Sequence, residues 1–141
     1  MEQQLSSTNT SVVIVTYLSD EIIERCIKNL KNKNNIIIIE NSNRKDFKKK
    51  IEEKYDNVKC YLMGYDAGFA KAANYGIKLV KSEYVFLINP DTFPEENCLE
   101  KLEIFANTSN NSPIIFPLSL RKNNKISYDF GFFNNYKIKN V

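Results

Sequence analysis

Short unbroken apolar runs alternate with stretches whose apolar residues recur every three or four positions. Val12-Val13-Ile14-Val15, Ile36-Ile37-Ile38-Ile39 and Tyr84-Val85-Phe86-Leu87-Ile88 are runs of the first kind. Each is bounded by turn residues, the signature of a strand buried on both faces. Val58 to Leu62 alternates weakly and predicts a third strand between the second and the last. Helical periodicity fills the gaps. Ile22, Ile23, Cys26, Ile27 and Leu30 share one face after a cap at Ser19 or Asp20. Phe47, Ile51 and Tyr55 predict a short helix. Phe69, Ala72, Ala73, Gly76, Ile77 and Val80 predict the clearest amphipathic helix. Leu99, Leu102, Phe105 and Ala106 mark another after Pro94-Glu95. Beyond it, Ile114-Ile115-Phe116 reads as a brief strand and Leu118 to Asp129 as a hairpin around Asn123-Asn124.

Strand–helix alternation implies parallel strands with helices on both faces. The fold class expected is α/β: a three-layer α/β/α, Rossmann-like arrangement with a mainly parallel sheet. Its first four strands are expected in the order 3-2-1-4. Residues 1–10 read as a polar tail, 11–130 as the domain and 131–141 as a second tail.

Parallel strands end on one edge, where open α/β sheets bind ligands. Four such ends carry polar groups: Thr16-Tyr17, Glu40-Asn41-Ser42, Gly64-Tyr65-Asp66 and Asn89-Pro90-Asp91. Pro90 cannot donate a ladder hydrogen bond, so its strand should stop near Asn89 and leave Asp91 just beyond. A carboxylate there can hold a hard cation and, through it, a phosphate. A plain Asx-type turn explains the same residues without function. Three carboxylates at one edge repel, so a cation or hydrogen-bond donors should offset them. Gly68 opens the amphipathic helix, whose free N–H groups and dipole favour an anion. Gly76 lies inside that helix, at a cost of about 1 kcal/mol relative to alanine. Close helix–sheet packing or a nearby ligand would account for it. The glycine spacing matches neither a P-loop nor a dinucleotide fingerprint.

Composition narrows the chemistry. The 141 residues are 43% apolar and 26% charged, ordinary for one soluble domain. A net charge of +3 gives no support for nucleic-acid binding. Lys48-Lys49-Lys50 followed by Glu52-Glu53 reads as a solvated helix face, though weak contact with an anionic membrane surface stays open. There is no histidine, which excludes Ser-His-Asp and Cys-His catalysis and His-ligated metals within this chain. The three cysteines fit no zinc or redox pattern, and Cys26 and Cys60 read as buried thiols, expected in a reducing compartment. Met1 to Thr10 does not resemble a signal peptide, and no apolar run nears the roughly 18 residues of a membrane span.

Four segments resemble glycosyltransferase family 2, whose members have the GT-A fold. They are Val12 to Tyr17, Ile38 to Ser42, Gly68 to Ile77 and Tyr84 to Thr92, in matching order and spacing over roughly residues 10–120. The rhamnosyltransferase-like branch looks most similar. The resemblance implies that Thr16 and Tyr17 border the base and ribose of a nucleotide sugar, UDP- or dTDP-linked. Glu40, beside Asn41, stands where the family usually has a base-contacting aspartate. Asp66 stands where asparagine is frequent, before the Gly68-Phe69-Ala70 turn, and Asn74 would help position the nucleotide. Asn89 and Asp91 match the ends of the Asp-x-Asp metal motif, implying Mg²⁺ or Mn²⁺ with Asp91 as the stronger ligand. The acceptor implied is a saccharide or lipid-linked glycan, in bacterial surface-glycan synthesis by inversion, at a cytoplasmic location that can include the inner membrane face. The family's catalytic base is not identifiable: Asp129 is the only acidic residue after Glu103. The expectation is therefore the donor-binding part of such an enzyme, truncated before the acceptor half. Two alternatives stand beside it: a non-catalytic nucleotide-sugar-binding module or partner subunit, and a generic α/β domain of the response-regulator type. The helix from Gly68 to Gly76 has no place in the latter pattern.

Overall fold

The computed structural model describes residues 9–30, 34–108, 114, 115 and 117. The chain divides into two units, Met1–Asn110 and Asn111–Val141, and the architecture below is that of the first. Strands β1 (Thr10–Thr16), β2 (Ile36–Glu40), β3 (Val58–Leu62) and β4 (Tyr84–Ile88) alternate with helices α1 (Asp20–Asn29), α2 (Lys45–Lys54), α3 (Phe69–Leu79) and α4 (Cys98–Thr108). All three strand pairings are parallel, in the order β3-β2-β1-β4. This is the expected order.

Handedness explains the layers. The chain steps from β1 to β2 to β3 in one direction, then returns past β1 to β4. Right-handed crossovers place the helices of a reversed step on the opposite face. Accordingly α1 and α2 pack on one face with Val12, Ile14, Ile36 and Ile38, where Leu99 of α4 joins them. Among the described residues, helix α3 packs on the other face, with Val13, Val15, Ile37 and Ile39. Gly76 permits this approach: a Cβ there would lie 2.6 Å from Val13 Cγ1 and 2.9 Å from Ile39 Cγ1. Helix–sheet packing is thus the reason for the glycine.

Several expectations are corrected. Strand β1 begins at Thr10, ahead of the apolar run, because its polar residues are partnered: Ser82 Oγ accepts the Ser11 N–H at 2.9 Å, and Thr10 Oγ1 donates to Glu103. Strand β4 is buried on one face only, with Val85 37% and Leu87 40% exposed, since α3 lies over β1 and β2. Phe69, Ile77 and Ile22 are exposed although the periodicity placed them on apolar faces. Ser19 sits at the N-cap of α1 without capping it; its hydroxyl donates to the Tyr17 carbonyl at 3.1 Å. Ile114 and Ile115 are not in a strand, and Phe116 lies outside the described residues, as do the expected hairpin, Asp129 and the 131–141 tail.

Candidate functional site

The strand order reverses between β1 and β4. Outside the carboxyl ends of an open α/β sheet, such a switch point is where ligands bind. Ile88 is the last residue of β4 and pairs with Ile14, while β1 runs on to Thr16 beside Glu40. The Asn89-Pro90-Asp91 turn therefore starts alongside Val15, about 4.8 Å away across the sheet.

Each of the three carboxylates at this edge has a different environment. Glu40 is 2% exposed, and its side chain folds back on its own loop. One oxygen accepts the Ser42 N–H at 3.1 Å and the Ser42 hydroxyl; the other accepts the Arg44 N–H at 2.8 Å. A buried carboxylate requires such donors. Asp66 accepts from the Asn41 side-chain amide at 2.8 Å and from the Gly68 N–H at 3.0 Å. Asp91 is exposed, and among the described residues no donor or cation is paired with its carboxylate. Both bonds to Asp66 fall on Oδ1, and the residue is exposed, so the edge presents one carboxylate held in place and one, Asp91, with no partner among the described residues.

The turn that carries Asp91 closes by a hydrogen bond from the Thr92 N–H to the Asn89 carbonyl at 3.1 Å. Pro90 occupies its second position, where a fixed φ suits the turn. The Cys26 thiol lies beneath, 3.8 Å from the same carbonyl. Burial and the nearby charge of Asp91 push that thiol up to about 11, so it stays protonated at neutral pH. Burial likewise pushes the Cys60 thiol up to about 12.

On the other side, Asn41 ties two loops together. Besides its bond to Asp66, its Oδ1 accepts the Ala67 N–H at 2.9 Å, and its backbone N–H donates to the Thr16 carbonyl at 2.9 Å. Gly68 enters α3 at φ 72° and ψ 161°, a conformation essentially confined to glycine. Arg44 bridges Asp46 at 2.7 Å and Asp20 of α1 at 2.8 Å, which holds its guanidinium above the ordinary value.

The fold thus brings Thr16, Tyr17, Glu40, Asn41, Asp66, Gly68, Asn89 and Asp91 to one edge. Thr16 is 1% exposed and donates to the Ile39 carbonyl at 3.5 Å, so its hydroxyl faces the sheet. Tyr17, Phe69, Ala70 and Asn89 are exposed. Asn74 is also exposed; two residues from buried Gly76, it lies on the side of α3 away from the sheet. Glu103 belongs to the opposite edge, through Thr10. Sequence reasoning missed Cys26 and Arg44 as neighbours of the site; nothing in their spacing shows that α1 reaches both loops.

Residues 11–125 match the family model described as glycosyl transferase family 2. The chain belongs to that family. Its fold is that of the GT-A glycosyltransferases. S. aureus TarS 1-349 superposes with a TM-score of 0.61 at 21% identity, over 70% of this chain and 32% of that one. The same protein in complex with UDP gives 0.61 at 20% identity, over 80% and 39%. A mannosyltransferase from Pyrobaculum calidifontis, in complex with GDP-Man and Mn²⁺, gives 0.60 at 14% identity, over 71% and 33%. This family 2 chain spans about a third of the solved structures it matches. No curated protein matches it.

Proposed function

We propose that this chain is the donor-binding part of a glycosyltransferase that uses a nucleotide-diphosphate sugar. The observation that carries this reading is the contrast among the three edge carboxylates: Glu40 is enclosed by the chain's own donors, Asp66 is held through one oxygen by Asn41 and Gly68, and Asp91 has no partner among the described residues. A lone exposed carboxylate with a neighbouring amide fits Mg²⁺ or Mn²⁺, which keep waters and take phosphate oxygens, rather than an all-protein cage. The cation would neutralise charge developing on the departing diphosphate. Asp91 and Asn89 would hold it, and the first-turn N–H groups after Gly68 would favour the same anion. Tyr17 offers an exposed ring for the base, while Glu40, Thr16 and Asn41 shape the surrounding loops. UDP or dTDP is the nucleotide proposed; UDP accompanies TarS, whereas GDP-Man accompanies the mannosyltransferase.

The finer identity stays with the resemblance: a saccharide or lipid-linked acceptor, surface-glycan synthesis, inversion, the rhamnosyltransferase-like branch and a cytoplasmic site of action. A second reading, a binding module without turnover, has one observation behind it. Glu103, the last acidic residue among those described, is engaged at the far edge and cannot serve as base.

Calorimetry with UDP, dTDP and GDP, in Mn²⁺ and in EDTA, tests the proposal. Binding of UDP or dTDP at least roughly tenfold tighter with metal is expected, about 1.4 kcal/mol. Equal affinity in EDTA contradicts the cation's role.

A further inference from the structure

We propose that α1 is a positioning strut for the Asn89–Asp91 turn, with Cys26 and Arg25 as the two residues that fix where Asp91 stands. The inference rests on the reading of Asp91 as cation ligand and adds to it how that ligand is held.

Left to itself the turn is weakly fixed. Pro90 has no N–H, and the Thr92 N–H supplies the single closing bond. Asn89, Asp91 and Thr92 are all exposed, so side-chain packing contributes little at those positions. Adjacent residues of α1 supply two contacts. Cys26, 0% exposed, directs its thiol at the Asn89 carbonyl from below, 3.8 Å away. Arg25, one residue earlier and about 100° around the helix, places its guanidinium 4.0 Å over the Phe93 ring. The contacts lie on either side of Asp91 in sequence.

The other end of α1 is fixed as well. Asp20 pairs with Arg44 at 2.8 Å, tying the helix to the loop after β2. Ser19 accepts the Tyr17 N–H at 3.4 Å and donates back to its carbonyl, ordering the loop after β1. A single helix therefore links the two loops proposed to face the nucleoside with the turn proposed to hold the cation. Misplacing a reacting or ligating group by about 1 Å can cost on the order of 10²-fold in rate, and a rod between the two subsites limits that error.

The test uses the full 141-residue chain as wild type, Arg25→Ala, Arg25→Lys and Cys26→Ala. Amide hydrogen exchange is followed at Thr92, and UDP affinity is measured with Mn²⁺ and with EDTA. Arg25→Ala removes an exposed side chain, so the fold is kept even if Cys26→Ala weakens the core. Faster exchange at Thr92 is expected in both alanine variants, with exchange in β1 and β2 unchanged in Arg25→Ala. Metal-dependent affinity should fall about two- to fivefold in Arg25→Ala, the equivalent of one exposed cation–π contact. Affinity in EDTA should not move, and Arg25→Lys should restore the wild-type value. Unchanged exchange at Thr92 in both alanine variants overturns the strut. Faster exchange with unaltered metal-dependent affinity overturns its positioning role. Faster exchange together with metal-independent UDP binding in every protein, wild type included, leaves the strut standing and overturns the cation reading instead.

Discussion

The Asn41 side-chain amide donates to Asp66 Oδ1 at 2.8 Å while its own oxygen accepts the Ala67 N–H. One buried amide thus fixes the loop that leads into Gly68 and α3. Replacing Asn41 with alanine strands the Ala67 N–H and removes a donor from Asp66. An unsatisfied group of this kind costs about 1–3 kcal/mol. Urea denaturation of Asn41→Ala should show a loss of that order, and an unchanged midpoint would mean that water replaces the amide without cost.

Gly76→Ala sets two effects against each other. Alanine favours the helix by about 1 kcal/mol. Its Cβ would meet Val13 Cγ1 at 2.6 Å and Ile39 Cγ1 at 2.9 Å, and overpacking of this kind costs about 1–3 kcal/mol. The variant should be less stable than wild type by thermal melting, and Gly76→Leu far less. A stabilised Gly76→Ala would show that α3 does not seat so closely.

Glu24 gives the chain an acid-side dependence. A hydrogen bond from Lys54 at 2.5 Å, with Lys50 nearby, holds its carboxyl below the ordinary value of 4.5. A lowered native value means that its contribution is complete above about pH 4.5 and disappears as pH falls through the native value. Glu24→Gln should flatten the stability profile in that acid window and leave the slope unchanged between pH 6 and 8. A wild-type-like acid slope in Glu24→Gln would place the dependence on other carboxylates.

The sheet was legible because three of its strands obey local rules. The runs at Val12 and Ile36 are buried on both faces, and the alternation with helices leaves few topologies for right-handed crossovers. Strand β4 has a similar run, yet Val85 and Leu87 are exposed. Apolar sequence records that a residue can be buried, while burial depends on whether a helix lies over it. Asp91 was legible from Pro90, which ends the strand at a known place. The inward turn of Glu40 was not: it depends on the loop through Asn43, whose φ is 59°, bringing the Ser42 and Arg44 N–H groups back to the carboxylate. The contact of Cys26 with Asn89 depends on the register of α1 against a loop 63 residues away, which periodicity does not encode.

Asp91 itself provides the most direct test. Being exposed and beyond the end of β4, it carries little packing, so Asp91→Ala should melt within about 0.5 kcal/mol of wild type. The decisive measurement is Mn²⁺ binding in the presence of UDP, read from loss of the free-ion signal in electron paramagnetic resonance. Wild type should take up Mn²⁺ only with UDP present, and Asp91→Ala should take up at least roughly tenfold less at the same concentrations. Equal uptake by a folded Asp91→Ala protein would contradict the assignment of Asp91 as the cation ligand and, with it, the proposed donor site.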